Sequence, residues 1–306
     1  MPTNDPRPTK AVRREEARLK AAQMRKEQER KAKRNRILAI SGLAVAVVAL
    51  IAVAFLIINQ NKANVAANSD VVYGGDSANV VAPALADVTA PAPATDNGGI
   101  PVSGDTADDV GVVGDGDVTL TIYFDFMCPI CGQFEEINGD DIATLLADGG
   151  TTVEYHPISF LDSKSAGTSY STRAANAAAI VADKAPAQFA AFVSAMYKDQ
   201  PAEGSAGRTD AEIAKIATDL GVPQDVADSF TDTVNGSYTT KTGDVEASQD
   251  GTWRTMAPWV AAATNQMSTD IGKISTPTVL INGQDFGGAW QTPGALLQAV
   301  QAAQGS

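Results

Sequence analysis

Two cysteines in 306 residues stand three apart, in Cys128-Pro129-Ile130-Cys131. The residues before them, Val118 to Phe126 (VTLTIYFDF), are β-branched and aromatic and read as a strand. Those after, GQFEEINGDDIATLLADGG, place Phe134, Ile137, Ile142, Leu145 and Leu146 in a mostly helical arrangement that closes at Gly149. A thiol at the mouth of a helix faces unpaired N–H groups and the positive end of the helix dipole, and both favour its thiolate. Cys128 is therefore the expected nucleophile. Cys131, one turn on, is placed to attack a mixed disulfide formed on Cys128 and resolve it. Pro129 suits the first helical turn, where its missing N–H would have no partner.

Other uses of the pair fit less well. A zinc site needs more ligands, and His156 is the single histidine of the chain, so no metal is expected. A structural disulfide across so short a ring contributes little, because loop-closure stabilisation grows with loop length. Copper carriage would call for a Met or His cluster beside the pair. His156 reads as a strand residue with a local hydrogen bond. Glu135 and Glu136 read as a solvated first-turn face.

The elements around the pair follow from periodicity. Thr151 to Phe160 is a second strand candidate, and Phe189, Phe192, Val193, Met196 and Tyr197 mark a helix begun by Pro186. Thr209 to Glu212 is a capping box for a helix ending at Gly221, and another helix begins near Pro258. Thr278 to Asn282 is strand-like, Asn282-Gly283 is a hairpin turn, and Thr292-Pro293 opens a last helix to about Ala303.

Charge divides the chain. The whole carries −13, but residues 1–36 hold +8 and the remainder −21, which argues against a nucleic-acid binder. Residues 37–58 (ILAISGLAVAVVALIAVAFLII) carry no charge and as a helix at ~1.5 Å per residue match a ~30 Å hydrocarbon layer. They are expected to anchor the chain as a single transmembrane helix. The basic residues before them predict a cytoplasmic N-terminus, which places the C-terminal bulk outside the cell membrane. Residues 59–97, rich in Ala, Asn, Asp, Val and Pro, read as a flexible linker. Residues 98–306 are long enough for one well-buried domain with an insertion.

Phe124-Asp125-Phe126-Met127-Cys128-Pro129-Ile130-Cys131, followed by Gly132-Gln133-Phe134, resembles the active-site segment of DsbA-like thiol–disulfide oxidoreductases of the thioredoxin superfamily. Ser275-Thr276-Pro277-Thr278-Val279-Leu280-Ile281-Asn282-Gly283 is similar to that family's cis-proline loop and the strand after it. The resemblance covers about 98–306. It implies an α/β protein: a thioredoxin fold with a helical insertion at about 162–270, preceded here by one transmembrane helix and a flexible linker. It implies that Pro277 follows a cis bond, beside the cysteines, exposing the backbone of Thr276 to an extended client peptide. It also implies disulfide exchange with client polypeptides, no cofactor beyond the Cys128–Cys131 disulfide, and a quinone-linked membrane partner that reoxidises the pair. A reductase or isomerase, or a non-catalytic peptide-binding domain, is the alternative.

Two departures from the family pattern bear on the chemistry. Strongly oxidising members carry histidine at the position of Ile130, and many relatives carry an acid at the position of Ile122. Asp125 is the nearest acid in sequence and reads either as a proton-transfer or tuning group or as an exposed strand-end carboxylate. Without the histidine, the Cys128 pKa is expected above the ~3.5 of DsbA and below the ~8.5 of a free thiol.

Overall fold

The computed structural model describes residues 9–305 except 76, 78, 105, 107 and 108. The first eight residues of the basic tail lie outside the described residues. The chain divides into two units, residues 1–59 and 60–306. From Lys10 on, the first unit is part of one helix, α1 (Lys10–Ala67), whose last two turns belong to the second unit. α1 is long and apolar enough to cross a membrane.

In chain order the second unit carries β1 (Ile100–Val102), β2 (Val118–Phe124), α2 (Pro129–Asp148), β3 (Thr151–Pro157), α3 (Tyr170–Lys184), α4 (Phe189–Tyr197), α5 (Asp210–Asp219), α6 (Gln224–Asp228), β4 (Thr233–Thr242), β5 (Val245–Arg254), α7 (Ala257–Ile271), β6 (Thr278–Ile281), β7 (Gln284–Asp285) and α8 (Ala295–Gln304). The main sheet has the order β1-β3-β2-β6-β7, with β2 and β3 parallel and the other neighbours antiparallel. Ile122 in the centre lies opposite Tyr155 on β3 and Val279 on β6. Because side chains alternate along a strand, Leu120, Ile122 and Phe124 enter one core, with Phe134, Ile142 and Leu145 of α2 and Leu296 and Val300 of α8. Tyr123 enters a smaller core with Ile158 and Met267 of α7. This is the expected thioredoxin-type α/β arrangement with an insertion between β3 and β6.

The local signals are realised. Gly149 closes α2 at φ 75°, Thr209 and Glu212 form both bonds of the capping box, and Asn282 and Gly283 turn at φ 47° and 76° between β6 and β7.

Two expectations are corrected. The insertion is not all helical: β4 and β5 form a ten-pair hairpin turned by Gly243 at φ 61°. Thr, Tyr and Val in 233–245 and Gly-Asp at the tip were its signal. Nor is the described part of 60–97 a loose linker. Asn64 Nδ2 donates to Ala166 O at 2.7 Å, Val71 is 2% exposed, and Val81 N and Lys241 N exchange bonds with Thr239 O and Asn79 O at 2.8 and 2.7 Å. Tyr73 packs edge-on against Trp253, ring centres 4.8 Å apart. Few apolar residues suffice here because the hairpin supplies a strand edge and an aromatic platform. Tyr73→Ala should lower unfolding stability by roughly 2 kcal/mol, read from urea unfolding of the full-length chain in detergent. A loose tether at this residue predicts an unchanged midpoint.

Candidate active site

β2 ends at Phe124, and the chain turns through Asp125, Phe126 and Met127 into α2. Phe126 and Met127 are fully buried and fix the turn to the core. Cys128 is the N-cap of α2 with extended backbone (φ −74°, ψ 115°), and Pro129 occupies the first turn. Cys128 N donates to Asp125 O at 2.9 Å, and Cys131 N donates to Cys128 O at 3.1 Å. Both cysteines are free thiols.

The Thr276–Pro277 bond is cis, and its loop lies against the pair: the Cys128 thiol donates to Thr276 O at 3.5 Å. The structure thus joins Cys128, Pro129, Ile130, Cys131, Thr276 and Pro277 in one place from segments 145 residues apart in sequence. Ile130 is an exposed side chain at the mouth of the helix, 42% accessible.

The two sulfurs differ sharply. A hydrogen bond from the Cys131 thiol lowers the Cys128 pKa to about 6 against the opposing effect of burial, helped by the Thr276 hydroxyl and the N–H groups of Cys131 and Ile130. That lies between the bounds set by the missing histidine. Burial holds Cys131 well above an ordinary thiol, and the Cys128 sulfur beside it adds to the rise. Thr276 matters by its side chain as well as its backbone. Its hydroxyl is buried with no hydrogen-bond partner among the described residues, and beside the two sulfurs it lowers the pKa of both.

Asp125 is not an exposed strand-end carboxylate; it is completely buried. Its Oδ1 accepts from Ser171 Oγ at 2.6 Å and Met127 N at 2.8 Å, and its Oδ2 accepts from Leu161 N at 3.0 Å. Burial nevertheless pushes its pKa up to about 7. Its own backbone amide bonds the Cys131 sulfur. Glu135 also departs from expectation: it is half-buried and its pKa is raised by burial, while Glu136 is exposed. His156 is buried on β3, stacked on Tyr123 at 4.1 Å with Nε2 3.4 Å from Glu154. Ile122, at the position where relatives carry an acid, is a core residue.

Residues 112–302 match the model of the family described as Thioredoxin. The chain belongs to the thioredoxin family. Within it, this thioredoxin-family chain is similar to oxidised DsbA of Mycobacterium tuberculosis, at 26% identity over 68% of this chain and 93% of that one, with a TM-score of 0.50. It shares the fold of MdbA, a thiol-disulfide oxidoreductase from Actinomyces oris, at 22% identity over 72% and 99% of the two chains, with a TM-score of 0.53. It is also 41% identical over 107 residues to the serine/threonine-protein kinase PknE of Mycobacterium tuberculosis. That match takes in 34% of this chain and 19% of the kinase, so the likeness concerns a segment.

Sequence reasoning missed the Thr276 hydroxyl, Ser171, Tyr197 and Gln200, which reach the site from the insertion or the cis-proline loop. Thr276→Val should raise the Cys128 pKa, read from thiolate absorbance at 240 nm; an unmoved titration would assign the hydroxyl no role. Asp125 sets a second pH dependence. Its folded pKa lies above its unfolded value of ~3.9, so the folded state retains a proton the unfolded state has lost, and stability falls as pH rises from about 4 to 7. In the disulfide form, where the thiols do not titrate, Asp125→Asn should flatten the Tm against pH curve over that window.

Proposed function

We propose that this protein exchanges disulfides with client polypeptides through Cys128 and Cys131, on the outer side of a cell membrane to which α1 anchors it, in oxidative disulfide formation. The observation that carries the reading is the pairing of opposite sulfurs at one helix mouth: a thiol lowered to about 6 beside a buried thiol held high.

In the oxidising direction a client thiolate attacks Cys128 Sγ of the Cys128–Cys131 disulfide. The S–S bond breaks and Cys131 leaves, taking up a proton because its buried thiolate is disfavoured. A second client thiolate then attacks the client sulfur of the mixed disulfide and expels Cys128 as the better-stabilised thiolate. The client loses two electrons and the pair gains them. In reverse, Cys131 gives up its proton and resolves the mixed disulfide. We assign that proton to Asp125, the buried acid of the active-site turn, whose pKa is pushed up to about 7 by burial. The client strand pairs with the backbone of Thr276 beside Pro277. No other cofactor enters.

The reduced pair returns to the disulfide by passing its electrons to a quinone-linked membrane partner. The basic residues before the apolar stretch support a cytoplasmic N-terminus. A thiolate stabilised by neutral donors supports a couple between thioredoxin at about −270 mV and DsbA at about −120 mV, measurable against glutathione.

Cys128→Ser should abolish refolding of reduced ribonuclease and the reduction of insulin. Cys131→Ser should instead leave clients trapped on Cys128, seen as mixed disulfides on non-reducing gels. Activity retained by the Cys128 variant would end the redox reading. Asp125→Asn should slow resolution of a preformed mixed disulfide at pH 7 on the order of a hundredfold, with client attack on the oxidised pair much less affected.

A further inference from the structure

The segment Tyr197-Lys198-Asp199-Gln200-Pro201 leaves α4 and reaches back to the loop that carries Cys128. Gln200 Nε2 donates to Phe126 O and to Cys128 O, each at 2.9 Å. The Tyr197 hydroxyl donates to Asp125 O at 3.2 Å. Three carbonyls of the active-site turn are thus held by two side chains of the insertion.

The turn that delivers Gln200 is costly. Asp199 sits at φ 53°, in the left-handed region that residues with a Cβ rarely adopt, Asp and Asn being the more tolerant. It is held there by Gln200 N donating to Tyr197 O at 3.2 Å, and by the Arg208 guanidinium, which donates to the carbonyls of Lys198 and, at 3.1 Å, of Asp199. Pro201 biases Gln200 toward extended backbone. From the opposite side, a Cβ at Gly132 would lie 2.2 Å from Gln200 Oε1. A side chain there would push the amide from this position, so the glycine that follows Cys131 is what admits it.

We infer that Gln200 is a positioning residue for thiol exchange, holding the Cys128 carbonyl and with it the first turn of α2. This rests on Cys128 being the nucleophile. Cys128 O also accepts from Cys131 N at 3.1 Å and Gly132 N at 3.2 Å, so it is the acceptor that closes that first turn. The N–H groups of Ile130 and Cys131, which meet the Cys128 sulfur, belong to the same turn. Helix ends open first, because their bonds are few. An amide fixed to the turn's closing carbonyl keeps those donors on the sulfur. Backbone strain gathers where a fold constrains a functional group, and the strained residue here is the one that aims Gln200.

The test uses the full-length protein, reduced, in detergent, as Gln200→Met, Gly132→Ala and the double variant. Gln200→Met keeps the length of the side chain and removes its donors. It should move the 240 nm thiolate titration of Cys128 upward and slow its alkylation by iodoacetamide at pH 5, below the thiol's pKa, about fivefold, the effect of one lost hydrogen bond. Gly132→Ala should do the same by displacing the amide, and the double variant should be no slower than the worse single, because both remove one contact. Should Gln200→Met not fold, Gly132→Ala decides alone. An unchanged titration in a variant that melts like the parent, or additive effects in the double, overturns the inference. A parent Cys128 that titrates as a free thiol would instead remove the functional reading beneath it.

Discussion

Two sulfurs three residues apart are held in opposite electrostatic conditions, and the rest of the structure serves that difference. Cys128 caps the N-terminus of α2, where the N–H groups of Ile130 and Cys131 also reach its sulfur. Cys131, one turn later, faces the core and is buried. The asymmetry requires that β2 stop at Phe124 and that the turn through Asp125 be tight enough to bring Cys128 N to Asp125 O at 2.9 Å. Buried Phe126 and Met127 hold that turn against the domain. When the single S–S bond of a mixed disulfide breaks, the better-stabilised thiolate is the better leaving group.

The stabilisation of Cys128 is built from neutral groups. Ile130 brings no charge to the helix mouth, and Ile122 belongs to the core, where it brings no acid beneath. In their place stand the Cys131 thiol, the Thr276 hydroxyl and two backbone amides. Neutral donors act only over hydrogen-bond distance, so the character of the thiol depends on geometry more than on ionic strength. A fixed cis-proline loop and a fixed first turn are therefore worth more here than where an imidazolium supplies the field.

Much of this was legible in the sequence because it is local. The cysteine motif, its preceding strand, the helix after it, the capping box at Thr209 and the Asn282-Gly283 turn each announce themselves within a few residues, while the cis-proline segment was legible only through its likeness to a known family. The condition of Asp125 did not, because its burial is made by Leu161 and Ser171, 36 and 46 residues away. Gln200 gave no sign either: a glutamine after a helix is ordinary until its amide is found on a loop 72 residues distant. The reading of 59–97 as a tether failed for a related reason. Composition reports how much apolar surface a segment owns, and Val71 and Tyr73 own little; what it cannot report is that the β4–β5 hairpin offers Trp253, Tyr238 and a free strand edge to receive them.

The insertion is then more than a cover over a thioredoxin fold. Its turns and helices supply the hydroxyl and amide that hold the Asp125 carboxylate, the tyrosine on the Asp125 carbonyl and the glutamine on the Cys128 carbonyl. In the proposed exchange the two cysteines and the residues between them define which atoms react, while the insertion sets the conditions under which they do. Substitutions at Ser171, Tyr197 or Gln200 therefore act on the thiols without touching the motif, through the geometry of one turn. A site divided in this way can change its redox character by altering the insertion while the reacting segment stays constant.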